Sequence, residues 1–328
     1  MNNRITKFLA IALFLLSISQ IVKGEAVDAV TGATPVKLKI EANTDKQLVL
    51  DVSYEENSVI REAPLGLNVD HRMLGKDVQL LNKEKKENNT LVYQLQQADG
   101  SRFYLDARIF PDGIALRYRV PADGPVCIYG EETSFIFPSQ TKVWYASGPF
   151  QYGWLQQYQE RETDRIEGEL LAPPATFHLP NGIYAAITEA NLFNYHGAVL
   201  LGTAPNKVQF GYVENKGHVE TGIVTGLPPA KYWHEEVRNI PWIVSPKAES
   251  QEIVTPWLML SKDLNGLVNN QIIAQVSDQP NKTLFPDGAK TDWIKPGRAT
   301  FTWYVQGSEK LSVATQKRFV DGCAELGI

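Results

Sequence analysis

The sequence has little cysteine, no excess of basic residues, and one long apolar run. Two cysteines among 328 residues, Cys127 and Cys323, are too few for a disulfide framework, and neither has the neighbours of a thiolate metal site. They read as unpaired, one in a strand and one on a helix. Thirty-two Lys and Arg stand against 37 Asp and Glu, a net charge of −5. With no basic stripe in the sequence, a nucleic-acid partner is excluded. No phosphate-binding glycine loop, nucleophile elbow or paired-histidine metal motif occurs. Among the five histidines, His196 and His234 have no metal-like spacing to other ligand types.

The long apolar run is FLAIALFLLSISQIV, preceded by Arg4 and Lys7 and followed by small residues near Gly24. This is the pattern of a secretory leader, expected to cover residues 1–24. It is short for a membrane span and no second run follows. The expected compartment is the periplasm or the exterior, with no membrane attachment after cleavage. An uncleaved N-terminal anchor is the alternative. Removing the three cations of the leader takes the charge from −5 to about −8, ordinary for a soluble protein.

From about residue 36 to 260 the chain reads as β. KLKIEANTDKQLVLDVSY gives two strands around a polar turn. In FYLDARIF-PDG-IALRYRV the second arm alternates Ile114, Leu116, Tyr118 and Val120 with Ala115, Arg117 and Arg119, the period of a half-buried strand. ATFHL-PNG-IYAAIT repeats the device with Asn181–Gly182 at the turn. KVQFGYVENKGHVETGIVTG reads as a further pair, and the charged KEKKENNT as a solvated loop or hairpin tip. Many short strands joined by Gly, Pro, Asn and Asp predict a large antiparallel sandwich.

The pattern changes after Pro256. DLNGLVNNQIIAQV (263–276) places Leu264, Leu267, Val268, Ile272 and Gln275 at helical spacing behind Asp263, a candidate N-cap. RATFTWYV (298–305) reads as a strand. SVATQKRFVDGCAELGI (312–328) reads as a helix carrying Phe319, Val320, Cys323, Ala324 and Leu326 on one side, with Gly327 as its stop. Gly322, inside that helix, weakens it by about 1 kcal/mol.

Aromatic residues crowd WYASGPFQYGWLQQY, with Trp144, Tyr145, Phe150, Tyr152, Trp154 and Tyr158. Such rings suit either a carbohydrate surface or packing in a core or interface. The acid pairs Glu55–Glu56, Glu131–Glu132 and Glu235–Glu236 are poor active-site pairs, because neighbours on a strand point to opposite faces. Each reads as a solvated or salt-bridged position.

The ordered motifs SYEENSVIREAPLGL, DGIALRYRVP, PATFHLPNGIYAAITEANLFNYHG, TPWLMLSKDLNGLV and WIKPGRATFTWY followed by QKRFVDGCAELGI resemble glycoside hydrolase family 97, exported bacterial α-glucosidases and α-galactosidases. The resemblance implies an antiparallel β-super-sandwich of the galactose-mutarotase-like type, followed by a catalytic (β/α)8 barrel. On that reading residues 25–292 are the super-sandwich domain with a C-terminal linker helix. Residues 293–328 are the first strand and helix of a truncated barrel.

The resemblance also assigns residues. A calcium ion in the family's site takes one glutamate from the N-terminal domain, in the TEA motif, and that residue is Glu189 here. Trp303 resembles an aromatic near the barrel mouth and is the candidate substrate contact; Arg298 lies in the same motif. The family's two catalytic carboxylates lie on later barrel strands that are absent here, so no catalytic residue is expected in this chain. The implied whole is a calcium-dependent, exo-acting α-glycosidase, α-glucosidase first, cleaving terminal α-linked sugars of oligosaccharides. The partners of this chain are then the oligosaccharide and the missing barrel. Two alternatives stand beside it, a stand-alone carbohydrate-binding or partner-binding module, and a structural β domain with no ligand.

Overall fold

In a computed structural model the described residues are 35–147, 157–192, 195, 197–213, 237–238, 242–244, 252–254, 264–269, 271–278, 282–288, 290, 292–293, 295, 297–299, 301–302 and 312–327. The expected leader, residues 1–24, lies outside them.

Alternating apolar positions set the strands in order. β1 (Val36–Ala42), β2 (Leu48–Tyr54) and β3 (Asn57–Pro64) form a three-stranded sheet. The first turn is closed by the Asn43 carboxamide oxygen, which accepts from the backbone N–H groups of Asp45 and Gln47. β4 (Leu67–Val69) and β5 (Arg72–Leu74) make a short hairpin. β6 (Gln79–Lys86), β7 (Thr90–Gln96), β8 (Arg102–Phe110) and β9 (Gly113–Pro121) run as a meander. The expected 112–121 hairpin arm is β9, paired with β8 from Phe110–Gly113 to Tyr104–Arg119. KEKKENNT is the exposed tip of the β6–β7 hairpin: residues 83–86 end the edge strand β6, whose charged side chains protect an open edge, and residues 87–89 make the turn.

β10 (Val126–Glu131) returns to pair with β4. β11 (Ser134–Ile136), β12 (Lys142–Ala146) and β13 (Tyr158–Glu162) follow, then β14 (Leu170–Leu171), β15 (Ala175–His178) and β16 (Tyr184–Ile187). β17 (Ala198–Ala204) and β18 (Lys207–Val213) form the next hairpin. Three short strands, β19 (Val237–Arg238), β20 (Trp242–Val244) and β21 (Glu252–Val254), pair with β18, β10 and β9. The expected partner strand for β18 in the 214–226 stretch lies outside the described residues.

The antiparallel pairing is as expected, but the super-sandwich is not what forms. The strands divide among five small antiparallel sheets of three to five strands, a propeller-like partition into blade-sized sheets in place of two extended layers. The reason lies in strand length. Several strands have only two to four residues, too short to carry a ladder across a wide sheet. A large buried cluster still draws on most of the strands from β1 to β18 and includes the fully buried Tyr93, Phe103, Phe135, Tyr145 and Phe177. Each such side chain contributes about 1.5–3 kcal/mol by leaving water.

Among the described residues the first barrel strand is likewise not found. Residues 298, 299 and 301 of the expected strand have no regular structure and Thr302 is helical. A barrel strand needs a parallel neighbour on each side, and every described strand pair is antiparallel. The expected 263–276 helix is two short pieces, α1 (Leu264–Val268) and α2 (Ile272–Val276). α1 ends at Val268, where the backbone N–H and the side-chain amide of Asn269 both donate to the Asn265 carbonyl, each at 3.0 Å. Asp263 lies outside the described residues. Ile272 and Val276 of α2 pack with Phe110, Ala115 and Ala190, and Arg108 Nη1 donates to the Gln275 carbonyl at 2.8 Å.

The chain divides into two units at Ser277–Asp278. In the second, α3 (Val313–Leu326) meets its expected ends. Ser312 Oγ accepts from the Thr315 N–H, and Gly327 closes the helix at φ 65°. None of its residues is buried. Cys127 lies in β10 and Cys323 in α3, and neither is in a disulfide.

Candidate functional site around Glu189

The β15–β16 hairpin delivers Glu189. Its turn is the expected one, with Gly182 at φ 83° and the Asn181 side chain accepting from the Ile183 N–H. The register pairs His178 with Tyr184 and Ala175 with Ile187. Ala185 and Ile187 face the core. Past Ile187 the strand ends, and Ala190 is buried against Phe110 and Ile272. Glu189 is therefore held between two apolar anchors, half-buried, at the end of the apolar run.

Among the described residues one protein donor reaches its carboxylate. The Ala198 N–H, at the start of β17, lies 3.1 Å from both Oε1 and Oε2. One shared N–H offsets little of the cost of desolvating a charge. Burial pushes the Glu189 carboxyl up to about 7; the Ala198 N–H opposes the shift and the nearby Glu131 charge adds to it. Gly197 leaves room beside it: a Cβ there would sit 3.5 Å from Oε1.

Glu131, the last residue of β10, is only 5% exposed. Its backbone carbonyl accepts from Gln209 Nε2 at 3.1 Å. Nearby, the buried Tyr118 hydroxyl and Thr133 Oγ1 are 2.8 Å apart. Burial holds the Tyr118 phenol well above its usual range, with the Glu131 charge second. Glu131 is thus not the surface acid expected of the Glu131–Glu132 pair. Glu132 is, with Lys76 at 3.0 Å. Adjacent residues on a strand point to opposite faces, so one of the two had to turn inward. That rule was the available signal for Glu131. The other pairs divide: Glu56 meets Lys37 at 2.8 Å, while Glu235 and Glu236 lie outside the described residues.

Calcium takes six to eight oxygens and favours carboxylates. Glu189 is a donor of the right kind, under-bonded and beside a second carboxylate, so it fits as one ligand of such a site. Among the described residues no three His, Cys, Asp or Glu come together as a metal cluster. Trp303, the candidate substrate contact, lies outside the described residues, and Arg298 is exposed coil. In the aromatic stretch, strand alternation sends Tyr145 into the core and leaves Trp144 half-buried on the other face. Tyr158 is exposed, and Phe150, Tyr152 and Trp154 lie outside the described residues.

The described strands form an antiparallel β domain that holds a half-buried glutamate at a strand end. The family model described as Glycosyl-hydrolase 97 N-terminal matches residues 81–279, and the chain belongs to that family. A Streptomyces bingchenggensis (strain BCW-1) protein named "Probable retaining alpha-galactosidase" is 26% identical over 315 residues, covering 89% of this chain and 43% of that protein. Among solved structures, a beta-arabinopyranosidase aligns with a TM-score of 0.68 at 17% identity, over 89% of this chain and 48% of that one. A glycoside hydrolase family 97 enzyme from Pseudoalteromonas sp. strain K8 in complex with panose aligns at 0.66 and 18% identity, over 90% and 45%. The chain thus shares its fold with part of such proteins and spans less than half of their length.

Proposed function

We propose that this chain is the N-terminal part of an exported, calcium-dependent, exo-acting α-glycosidase, in which Glu189 supplies one carboxylate to a calcium ion completed by oxygens of the catalytic barrel. The observation that carries the reading is the placement of Glu189: fixed at a strand end, half-buried, with both oxygens sharing one N–H. A bound cation would favour its ionised form, which burial alone disfavours. The other carboxylates of the reaction belong to the barrel, so this chain positions and charges the site without cleaving a bond. The apolar N-terminal run supports delivery to the periplasm or exterior.

The substrate class is a terminal α-linked sugar of an oligosaccharide, with an α-glucoside the first expectation. An α-galactoside is the second reading, favoured by the name of the Streptomyces relative. The test uses the intact protein that carries this domain, assayed on nitrophenyl α-glucoside and α-galactoside with calcium or chelator. Hydrolysis of one of the two, lost in chelator and lost in Glu189→Gln, is the expected result. A Glu189→Gln protein with unchanged activity and unchanged calcium response overturns the assignment. The isolated chain is expected to hydrolyse neither substrate and to bind calcium weakly at most, because one or two carboxylates fall short of the ion's coordination.

A further inference from the structure

The sheet ordered β13–β12–β15–β16 has two faces of different chemistry. Val143, Tyr145, Phe177, Ala185 and Ile187 face the core. On the opposite face Trp144, His178 and Tyr184 form a strip of rings, none of them buried in the core. His178 and Tyr184 are directly paired across the hairpin, 4.2 Å between centroids and 8° from parallel. Trp144 lies 6.0 Å from His178 and 6.3 Å from Tyr184, with planes within 28° of each. Beside the strip, Glu160 accepts from Trp144 Nε1 at 3.2 Å and from Lys142 Nζ at 2.8 Å.

We propose that this strip is a carbohydrate-binding surface separate from the Glu189 site, taking a neutral oligosaccharide across Trp144, His178 and Tyr184. It rests on the carbohydrate-active reading above and adds a second point of contact to it. Register separates the two places. His178 and Tyr184 sit at the turn end of the hairpin, whereas Glu189 follows Ile187 at the other end. The chemistry of the strip is amphipathic, like a sugar ring: apolar ring surface for the C–H face, with an imidazole, a phenol and a carboxylate beside it for hydroxyl groups. Lys142 pairs with Glu160 and lies opposite Glu162, so the strip has no excess positive charge to draw an anion. A ring anchored by a hydrogen bond, as Trp144 is by Glu160, loses little freedom on binding.

The experiment is affinity electrophoresis of the chain in native gels containing soluble starch or galactomannan, polymers rich in glucose and galactose respectively. The expected result is retardation by at least one polymer, weakened at least tenfold by Trp144→Ala and by Tyr184→Ser, partly kept by Trp144→Phe, and unchanged by Glu189→Gln. Near-ultraviolet circular dichroism identifies any variant that fails to fold, and Tyr184→Ser and Trp144→Phe then carry the test. Absence of retardation in both gels, or equal retardation of the wild type and the ring variants, overturns the proposal. So does self-association of the wild type that Trp144→Ala abolishes without any polymer dependence, since the face would then join two copies. If the intact protein hydrolyses neither nitrophenyl glycoside while ring-dependent retardation persists, the glycosidase reading fails and this surface stands.

Discussion

The backbone N–H of Ala198 lies 3.1 Å from both carboxylate oxygens of Glu189. One donor shared by two oxygens fixes the position of the side chain without fully satisfying its charge. This sets it apart from a carboxylate neutralised in an ion pair. Asp106, by contrast, accepts on Oδ2 from Arg117 at 3.0 Å and Arg119 at 2.8 Å.

The first prediction concerns pH. The Glu189 carboxyl is raised from 4.5 to about 7 in the folded chain, so folding favours its protonated form. The stabilisation is fully present below about pH 4.5 and is lost as pH rises through about 7. Between those values, in chelator, the wild type should lose on the order of 2–3 kcal/mol relative to Glu189→Gln, whose side chain does not titrate. Urea unfolding of both proteins at pH 4.5 and 7.5 measures it. Parallel pH dependence in the two would show that Glu189 is solvated after all.

Parts of this were legible in the residues and parts were not. The hairpins at Pro111–Asp112 and Asn181–Gly182 and both ends of α3 follow from alternation, turn chemistry and capping, which act within a few residues. The division into five sheets depends on which short strands find each other across long stretches, as β10 finds β4 and β9 finds β21, and local patterns do not encode that. Glu189 was singled out through its motif. Glu131 was missed because adjacency to Glu132 shows that one of the two turns inward without showing which.

The second prediction tests the arginine pair. Asp106 is 3% exposed, and its ion pairs with Arg117 and Arg119 cross the β8–β9 ladder. Asp106→Ala leaves two half-buried guanidinium groups without that counter-charge, a loss of about 3–5 kcal/mol. A shift of less than about 1 kcal/mol in urea unfolding would show that water reaches these groups and screens them.

A third prediction contrasts two glycines. A Cβ on Gly202 would lie 1.8 Å from the Ile166 carbonyl oxygen, whereas one on Gly197 meets nothing nearer than 3.5 Å. Gly202→Ala must push β17 away from the 166–169 turn, where Gly168 N–H donates to the Gly202 carbonyl at 2.8 Å. The expected cost is about 3 kcal/mol. Gly197→Ala should stay within about 0.5 kcal/mol of wild type. Thermal unfolding of the two variants side by side checks the contrast, and equal midpoints would refute the close approach.

The last prediction concerns α3. Ser312 and Gly327 cap it well, but Val313, Val320 and Leu326 are 74%, 65% and 72% exposed and no residue of the helix is buried. Caps contribute about 1 kcal/mol each, and Gly322 removes about as much from the interior. A helix of 14 residues without a packed face is marginal in water. Its amides should therefore exchange with solvent far faster than those of β8 and β9, whose ladder is flanked by buried side chains on both strands. Trypsin should follow the same order. Lys317 and Arg318, both exposed on α3, are expected to be cut well before Arg117 and Arg119, which are tied to Asp106 within the sheet. Mass spectrometry of a time course reads the order directly. Protection of the helix equal to that of β8 and β9 would mean that its apolar side is covered in solution, and the exposure on which this prediction stands would be wrong.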